Sequence, residues 1–191
     1  MHLFFDTETT GLPKDWKAPV SNLDNWPRLI QLAWIQSDES GKIVMKRSLL
    51  VKPNDFSIPK SASKIHGITT EKALSEGHSI IDVLEEFKLA IDGSKFLIAH
   101  NMSFDEKVLG AEFLRQGTKN PFGKKTKICT KEESTEFCAI PGNYGYKWPT
   151  LSELHAKLFE TDIKNAHDAE ADVETCAMCF FELKRLGVVV G

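Results

Sequence analysis

An apolar run that ends in two alternating carboxylates constrains this chain more than any other feature. Leu3, Phe4 and Phe5 read as a buried strand that leads directly into Asp6 and Glu8, within FFDTETTGL at Phe4–Leu12. Alternate residues of a strand share a face, so Asp6 and Glu8 project side by side. Two like charges at the rim of a core are costly without a counterion. A hard divalent cation such as Mg²⁺ relieves that cost, because it takes carboxylate oxygens. The alternative is a solvated strand end, which needs no metal.

Two further segments favour the metal. Phe96, Leu97, Ile98 and Ala99 form a short apolar strand, after which Ser103 and Glu106 spell a capping box that opens a helix. Asp105 falls in the first turn of that helix, where the helix dipole favours a carboxylate. The segment from Asn165 to Gly187 sets His167 and Asp172 at the start of a helix with apolar residues at Val173, Ala177, Phe180 and Leu183. Four carboxylates and one histidine thus come from the starts or ends of elements, where active sites are built.

The chemistry that needs this set is phosphodiester hydrolysis with two metals. Two ions about 3.5–4 Å apart clamp the attacking and leaving oxygens, and carboxylates hold the ions. A histidine titrating near neutral pH takes the proton from the attacking water. Five residues along a helix rotate by about 140°, so His167 and Asp172 do not share a face if both are helical. The expectation is that His167 lies at or before the helix start, folded back toward the site, with Asp172 one turn in. Asp168 does share a face with Asp172. It is either a rival ligand or the N-cap, and the cap is the expected role.

The three segments resemble the exonuclease motifs of the DnaQ-like 3′–5′ exonucleases, in their DEDDh branch. D-T-E-T-T-G-L at Asp6–Leu12, H-N-x-x-F-D at His100–Asp105 and H-x-A-x-x-D at His167–Asp172 match in order, and I-H-G-I-T at Ile65–Thr69 resembles a segment near the substrate pocket. The resemblance implies Asp6, Glu8, Asp105 and Asp172 as ligands of two Mg²⁺ or Mn²⁺ ions, and His167 as general base. It also implies that Thr9, Thr10, Gly11 and Leu12 line the pocket for the 3′-terminal nucleotide and that His66 contacts substrate. The implied fold is ribonuclease H-like, α/β, with a mixed central sheet of about five strands and helices on both faces. The implied activity releases nucleoside 5′-monophosphates from single-stranded 3′ ends. DNA stands ahead of RNA, because the first motif and I-H-G-I-T lean toward the polymerase-proofreading side of the family. The alternatives are an exoribonuclease, oligoribonuclease-like or tRNA-trimming, and a non-catalytic nucleic-acid-binding module. The motifs do not separate DNA from RNA, since discrimination rests on how the 2′-OH is met.

Composition agrees with one exonuclease domain over residues 1–191. Hydrophobic content of 41% and charged content of 27% suit an ordinary globular protein. A net charge of −3 is unlike that of a protein gripping long duplex DNA through a basic surface. No run is long enough to span a membrane, and the first strand begins too early for a signal peptide, so a cytoplasmic enzyme is expected. The chain ends just past the third motif, which points to a free-standing enzyme; a polymerase or other replication or repair partner is not readable. Cys176 and Cys179 form a C-x-x-C inside an apolar helix, and Cys129 and Cys138 make no usual zinc knuckle. All four are read as reduced core residues.

Leu29–Ser37 and Ile43–Lys52 read as strands joined by a turn at Glu39, Ser40 and Gly41. Thr70–Ser75 and Ser79–Ile91 read as helices, the second with Ile80, Val83, Leu84, Phe87 and Ile91 on one face. Residues 117–149 look less regular, and Thr150 with Glu153 spells a capping box for a helix through Phe159. Strands followed by alternating helix and strand suggest a mixed sheet covered on both faces.

Two segments are particular to this chain. Pro13–Arg28 holds 16 residues, where a hairpin uses about two to five; Trp16 and Trp26 within it either stack on bases or pin the loop. Lys119, Lys124, Lys125, Lys127 and Lys131, followed by Tyr144, Tyr146 and Trp148, either guide a single strand or form a solvated surface. Phe104 stacks on a base or serves the core. Asn101 orients substrate or caps the turn. His2, His78, His100 and His155 carry no expected role.

Overall fold

β1 (His2–Thr9) forms the centre of a mixed sheet ordered β3-β2-β1-β4-β5. β2 (Leu29–Ser37) and β3 (Ile43–Leu50) run antiparallel on one side, while β4 (Phe96–Ala99) and β5 (Thr126–Cys129) continue parallel on the other. The structure, a computed structural model, describes residues 1–163 and 168–190. Its helices are α1 (Lys60–His66), α2 (Thr70–Glu76), α3 (Ile80–Asp92), α4 (Met102–Arg115), α5 (Thr130–Glu133), α6 (Thr135–Cys138), α7 (Leu151–Phe159) and α8 (Ala169–Arg185). A small hairpin, β6 (Pro141–Gly142) and β7 (Gly145–Tyr146), precedes α7.

The period of two in β1 decides which helix covers which face. Leu3 and Phe5 pack with Leu32, Trp34, Phe87 and Leu109, so α3 and α4 cover that side. Phe4 packs with Ala33, Ile35, Val173 and Phe180, so α8 covers the other. Helices therefore lie on both faces, as expected. A satellite cluster of Ile30, Ile58, Ala62, Ile68 and Ala73 seats α1 and α2 beside the start of β2.

The expected turn at Glu39–Gly41 forms: the Asp38 carboxylate accepts from the Ser40 and Lys42 amides. Ser79 caps α3, and the Thr150–Glu153 capping box opens α7. The capping box at Ser103 does not form. α4 starts two residues earlier, Asn101 is its N-cap at φ 122°, and Glu106 pairs with Lys127 instead. β5 and α1 were not anticipated. All four cysteines are free and buried, as read from the sequence.

Pro13–Arg28 is pinned to α4. Arg115 donates to the Leu23 and Trp26 carbonyls, and the Glu112 carboxylate accepts from Arg28 Nε at 3.0 Å and the Leu29 amide at 3.1 Å. Trp26 is buried with its Nε1 donating to the Pro19 carbonyl, so it anchors the loop. Trp16 stays half-exposed against the Phe104 ring.

Candidate active site

Strand register opens the site. β4 pairs with β1 only from His2 to Phe4, so β1 runs on alone past the end of β4 while its other edge stays paired, Asp6 with Ala33 and Glu8 with Gln31. The gap lies at the carboxyl ends of the parallel strands, where ligands bind in open α/β sheets. Asp6 and Glu8 share the α8 face of β1 with Phe4.

α8 brings the third carboxylate. Asp168 is its N-cap, its Oδ1 accepting from the Glu170 amide at 3.0 Å, which leaves Asp172 in the first turn facing β1. Oxygens of Asp6, Glu8 and Asp172 all lie within 4.8 Å of one another. Among the described residues this is the one group with metal-ligand spacing.

Asp105 arrives from the opposite face and stands outside that group. It sits in the first turn of α4, 3% exposed, and its Oδ1 accepts from Thr7 Oγ1 at 2.7 Å. Thr7 points to the α4 side because it lies between Asp6 and Glu8 in the alternation. His167 lies outside the described residues.

The electrostatics follow from burial. The Asp6 carboxyl is held well above its ordinary range by burial first, then by Asp105, Asp172 and Glu8. Glu8 is raised to about 8 by burial and by Asp172 and Asp105. Asp105 is raised to about 7 by burial, against downward pulls from its bond to Thr7 and from Lys131. Desolvated carboxylates that repel one another and offer only oxygen form a donor set suited to a hard divalent cation.

A pocket of about 280 Å³ adjoins the cluster, lined by Glu8, Thr9, Gly11, Leu12, His66 and Phe104. Ser61, Ala62 and Ile65 of α1 complete its wall. Thr9 Oγ1 donates to the Gly11 carbonyl at 2.7 Å, and Leu12 stands 72% exposed. His66 ends α1, with Nδ1 accepting from the Ile68 amide. Burial pulls its imidazole below the ordinary value, against a smaller upward pull from the Thr9 backbone. Thr10 does not line this pocket: its hydroxyl accepts from the Arg28 amide and closes the base of the long loop. Asn101 is also elsewhere, accepting from Lys131 Nζ. Phe104 lines the pocket and also packs on the core.

The exonuclease family RNase_T matches residues 3–180. DNA polymerase III subunit epsilon of Treponema pallidum (strain Nichols) is 31% identical over 176 residues, which cover 92% of this chain and 73% of that protein. This chain belongs to that exonuclease family. Three prime repair exonuclease 2 of Mus musculus is 25% identical over 93% of the chain and 81% of its own length. Among solved structures, E. coli exonuclease I with a dA16 oligonucleotide superposes at a TM-score of 0.74 over 96% of this chain, at 20% identity. The chain spans about 40% of that protein's length. The likeness carries the fold, which is ribonuclease H-like. No helix among the described residues is long and apolar enough to cross a membrane.

Proposed function

We propose that this chain, as one exonuclease domain over residues 1–191, is a 3′–5′ exonuclease. It hydrolyses the last phosphodiester bond of single-stranded nucleic acid, DNA ahead of RNA, and releases nucleoside 5′-monophosphates. The observation that carries this reading is the convergence of Asp6, Glu8 and Asp172 beside the pocket lined by Thr9, Gly11, Leu12 and Phe104. The epsilon subunit likeness supports DNA and a replication or repair setting.

In this mechanism Asp6, Glu8 and Asp172, with Asp105 from the opposite face, would hold two divalent ions, Mg²⁺ or Mn²⁺. Bound ions of this kind supply Lewis acidity to the attacking and leaving oxygens. Thr7 orients the Asp105 carboxylate through its hydroxyl. His167 takes the proton of the attacking water as general base. Leu12 and Phe104 offer apolar surface to the terminal nucleoside, and Thr9 stiffens the turn at Gly11 that shapes the pocket floor. His66, held below its ordinary value, stays neutral at pH 7 and presents no charge to the sugar.

Matched 5′-labelled DNA and RNA oligomers, digested side by side with Mg²⁺ and with EDTA, test the reading. The expected outcome is a ladder shortening from the 3′ end, faster on DNA, abolished by EDTA and restored by Mg²⁺. Full hydrolysis in the chelator would remove the metal assignment; a faster RNA ladder would move the substrate to RNA.

A further inference from the structure

The lysines between Lys119 and Lys131 do not make one basic surface. Lys125 Nζ donates to the Asp92 and Ser94 carbonyls at the end of α3, and Lys127 pairs with Glu106. Lys131 is different. Among the described residues it has no carboxylate within ion-pair distance; its Nζ donates to Asn101 Oδ1 at 2.6 Å and lies 4.2 Å from the centre of the Trp148 ring.

Its surroundings are built rather than incidental. Asn101 holds a left-handed φ of 122° at the turn into α4, four residues before Asp105. Backbone strain of that kind costs about 1–3 kcal/mol and persists only where neighbours impose it. Trp148 is 61% exposed, yet the next residue is fixed, because His100 Nε2 meets the Pro149 carbonyl at 3.1 Å. His100 Nδ1 is in turn bonded to Thr130 Oγ1, beside Lys131. Burial holds His100 down to about 4, against an upward pull from its bond to the Pro149 carbonyl. The β6–β7 hairpin carries exposed Tyr144 and Tyr146 just before Trp148.

Sheet order gives the direction. β1 and the terminal pocket lie on one side of β4, and β5, which leads into Lys131, lies on the other. The first turn of α4, with Asp105, follows the strand between them.

We propose that Lys131 and Trp148 form a grip for the penultimate nucleotide. Lys131 binds the phosphate on the 5′ side of the scissile one, and Trp148 stacks on the penultimate base. This rests on the 3′–5′ exonuclease reading and adds to it where the strand enters. On binding, Lys131 exchanges the neutral Asn101 oxygen for a phosphate oxygen, and bonds between two charged groups are the stronger kind. Stacking on an aromatic face is tolerant of base identity, so the grip sets position and length preference without sequence preference.

The test uses the full chain carrying Asp6→Ala, so that labelled single-stranded DNA is bound without being cut, and reads affinity against salt. Each phosphate neutralised on a single strand contributes a slope of about −0.7 in log affinity against log salt. Lys131→Met should flatten the slope by about 0.7, Lys131→Arg should keep it, and Trp148→Leu should weaken binding about tenfold with the slope unchanged. In chains with Asp6 intact, both Lys131→Met and Trp148→Leu should hydrolyse the p-nitrophenyl ester of thymidine 5′-monophosphate at the unsubstituted rate while slowing on oligomers. That ester has a terminal nucleotide and no penultimate one. An unchanged slope in Lys131→Met, or an equal loss on ester and oligomer, overturns the grip and makes Lys131 a structural brace of Asn101. If the unsubstituted chain cleaves neither substrate while the salt slopes come out as expected, the exonuclease reading fails and the grip stands as a binding site.

Discussion

Thr7 and Asp105, 98 residues apart in the chain, are joined by a 2.7 Å hydrogen bond between the Thr7 hydroxyl and the Asp105 carboxylate. The bond crosses from β1 to α4 on the face opposite Asp6 and Glu8. One strand therefore serves both halves of the cluster: even residues supply carboxylates, and the odd residue between them steers a fourth. A hydroxyl donating to a carboxylate is a stronger bond than a neutral pair, and here both partners are buried.

Thr7→Val keeps the shape and removes the donor. Outer partners of metal-holding carboxylates typically matter by about 10–100-fold, so hydrolysis should fall by about that factor with the fold retained. Thr7→Ser should restore most of the rate. Equal activity in Thr7→Val and the unsubstituted chain, with unchanged Mg²⁺ dependence, would mean that Asp105 needs no steering.

The roles of Asp168 and Asp172 separate by one turn. Asp172→Ala should abolish turnover, as should Asp6→Ala. Asp168→Ala removes the cap on α8 and should cost about 0.5–2 kcal/mol of stability while most activity remains. Thermal melts and initial rates on the three purified variants distinguish the cases. A folded but inactive Asp168→Ala would place Asp168 among the ligands.

Much of this site was legible because its residues sit at junctions with strong local signals. Asp6 and Glu8 follow an apolar triplet, and Asp168 precedes the α8 periodicity. What escaped had weak or misleading signals. β5 is four residues, Thr126–Cys129, with only Ile128 and Cys129 buried, and lysines crowd its sequence. α1 starts at Lys60 after an N-cap proline, Pro59, that offers no side-chain cap, and it buries only Ala62, so no apolar period marks it. The Ser103–Glu106 spacing matched a capping box, but Asn101 accepts the left-handed conformation that turns the chain two residues earlier. That Asp105 approaches from the other face was not visible in spacing at all, since it depends on which side of β4 the helix returns.

Metal-free protein should lose stability as pH rises. Glu8 sits at about 8 in the folded chain against an ordinary 4.5, and Asp105 at about 7 against 3.8. Between the ordinary and raised values the folded state binds more protons than the unfolded state, so stability falls through that window. His66 and His100 are lowered and act with the opposite sign, but below their ordinary value of 6.5. The range from about pH 6.5 to 8.5 therefore isolates the carboxylates. In EDTA the melting temperature should drop there by about 3 °C per pH unit for each proton held. Mg²⁺ should remove the drop, because it binds the ionised form. A flat profile in EDTA would show that the carboxylates are ionised without metal.

His167 is expected to act on water rather than on metal. If it is the general base, His167→Ala should slow hydrolysis by about 10²–10⁴-fold. Mg²⁺ affinity, read from the metal-induced rise in melting temperature, should be nearly unchanged, because Asp6, Glu8 and Asp172 remain. The rate of the unsubstituted chain should climb with pH through the histidine range, about 6 to 7, and the variant should lose that limb. Raised pH should partly rescue the variant, since hydroxide replaces the activated water. Asp105 also titrates near this range, so the comparison must be made at saturating Mg²⁺, where the carboxylates are held ionised. A pH limb that survives in His167→Ala at saturating metal would assign the limb to the carboxylates and leave the proton with another acceptor.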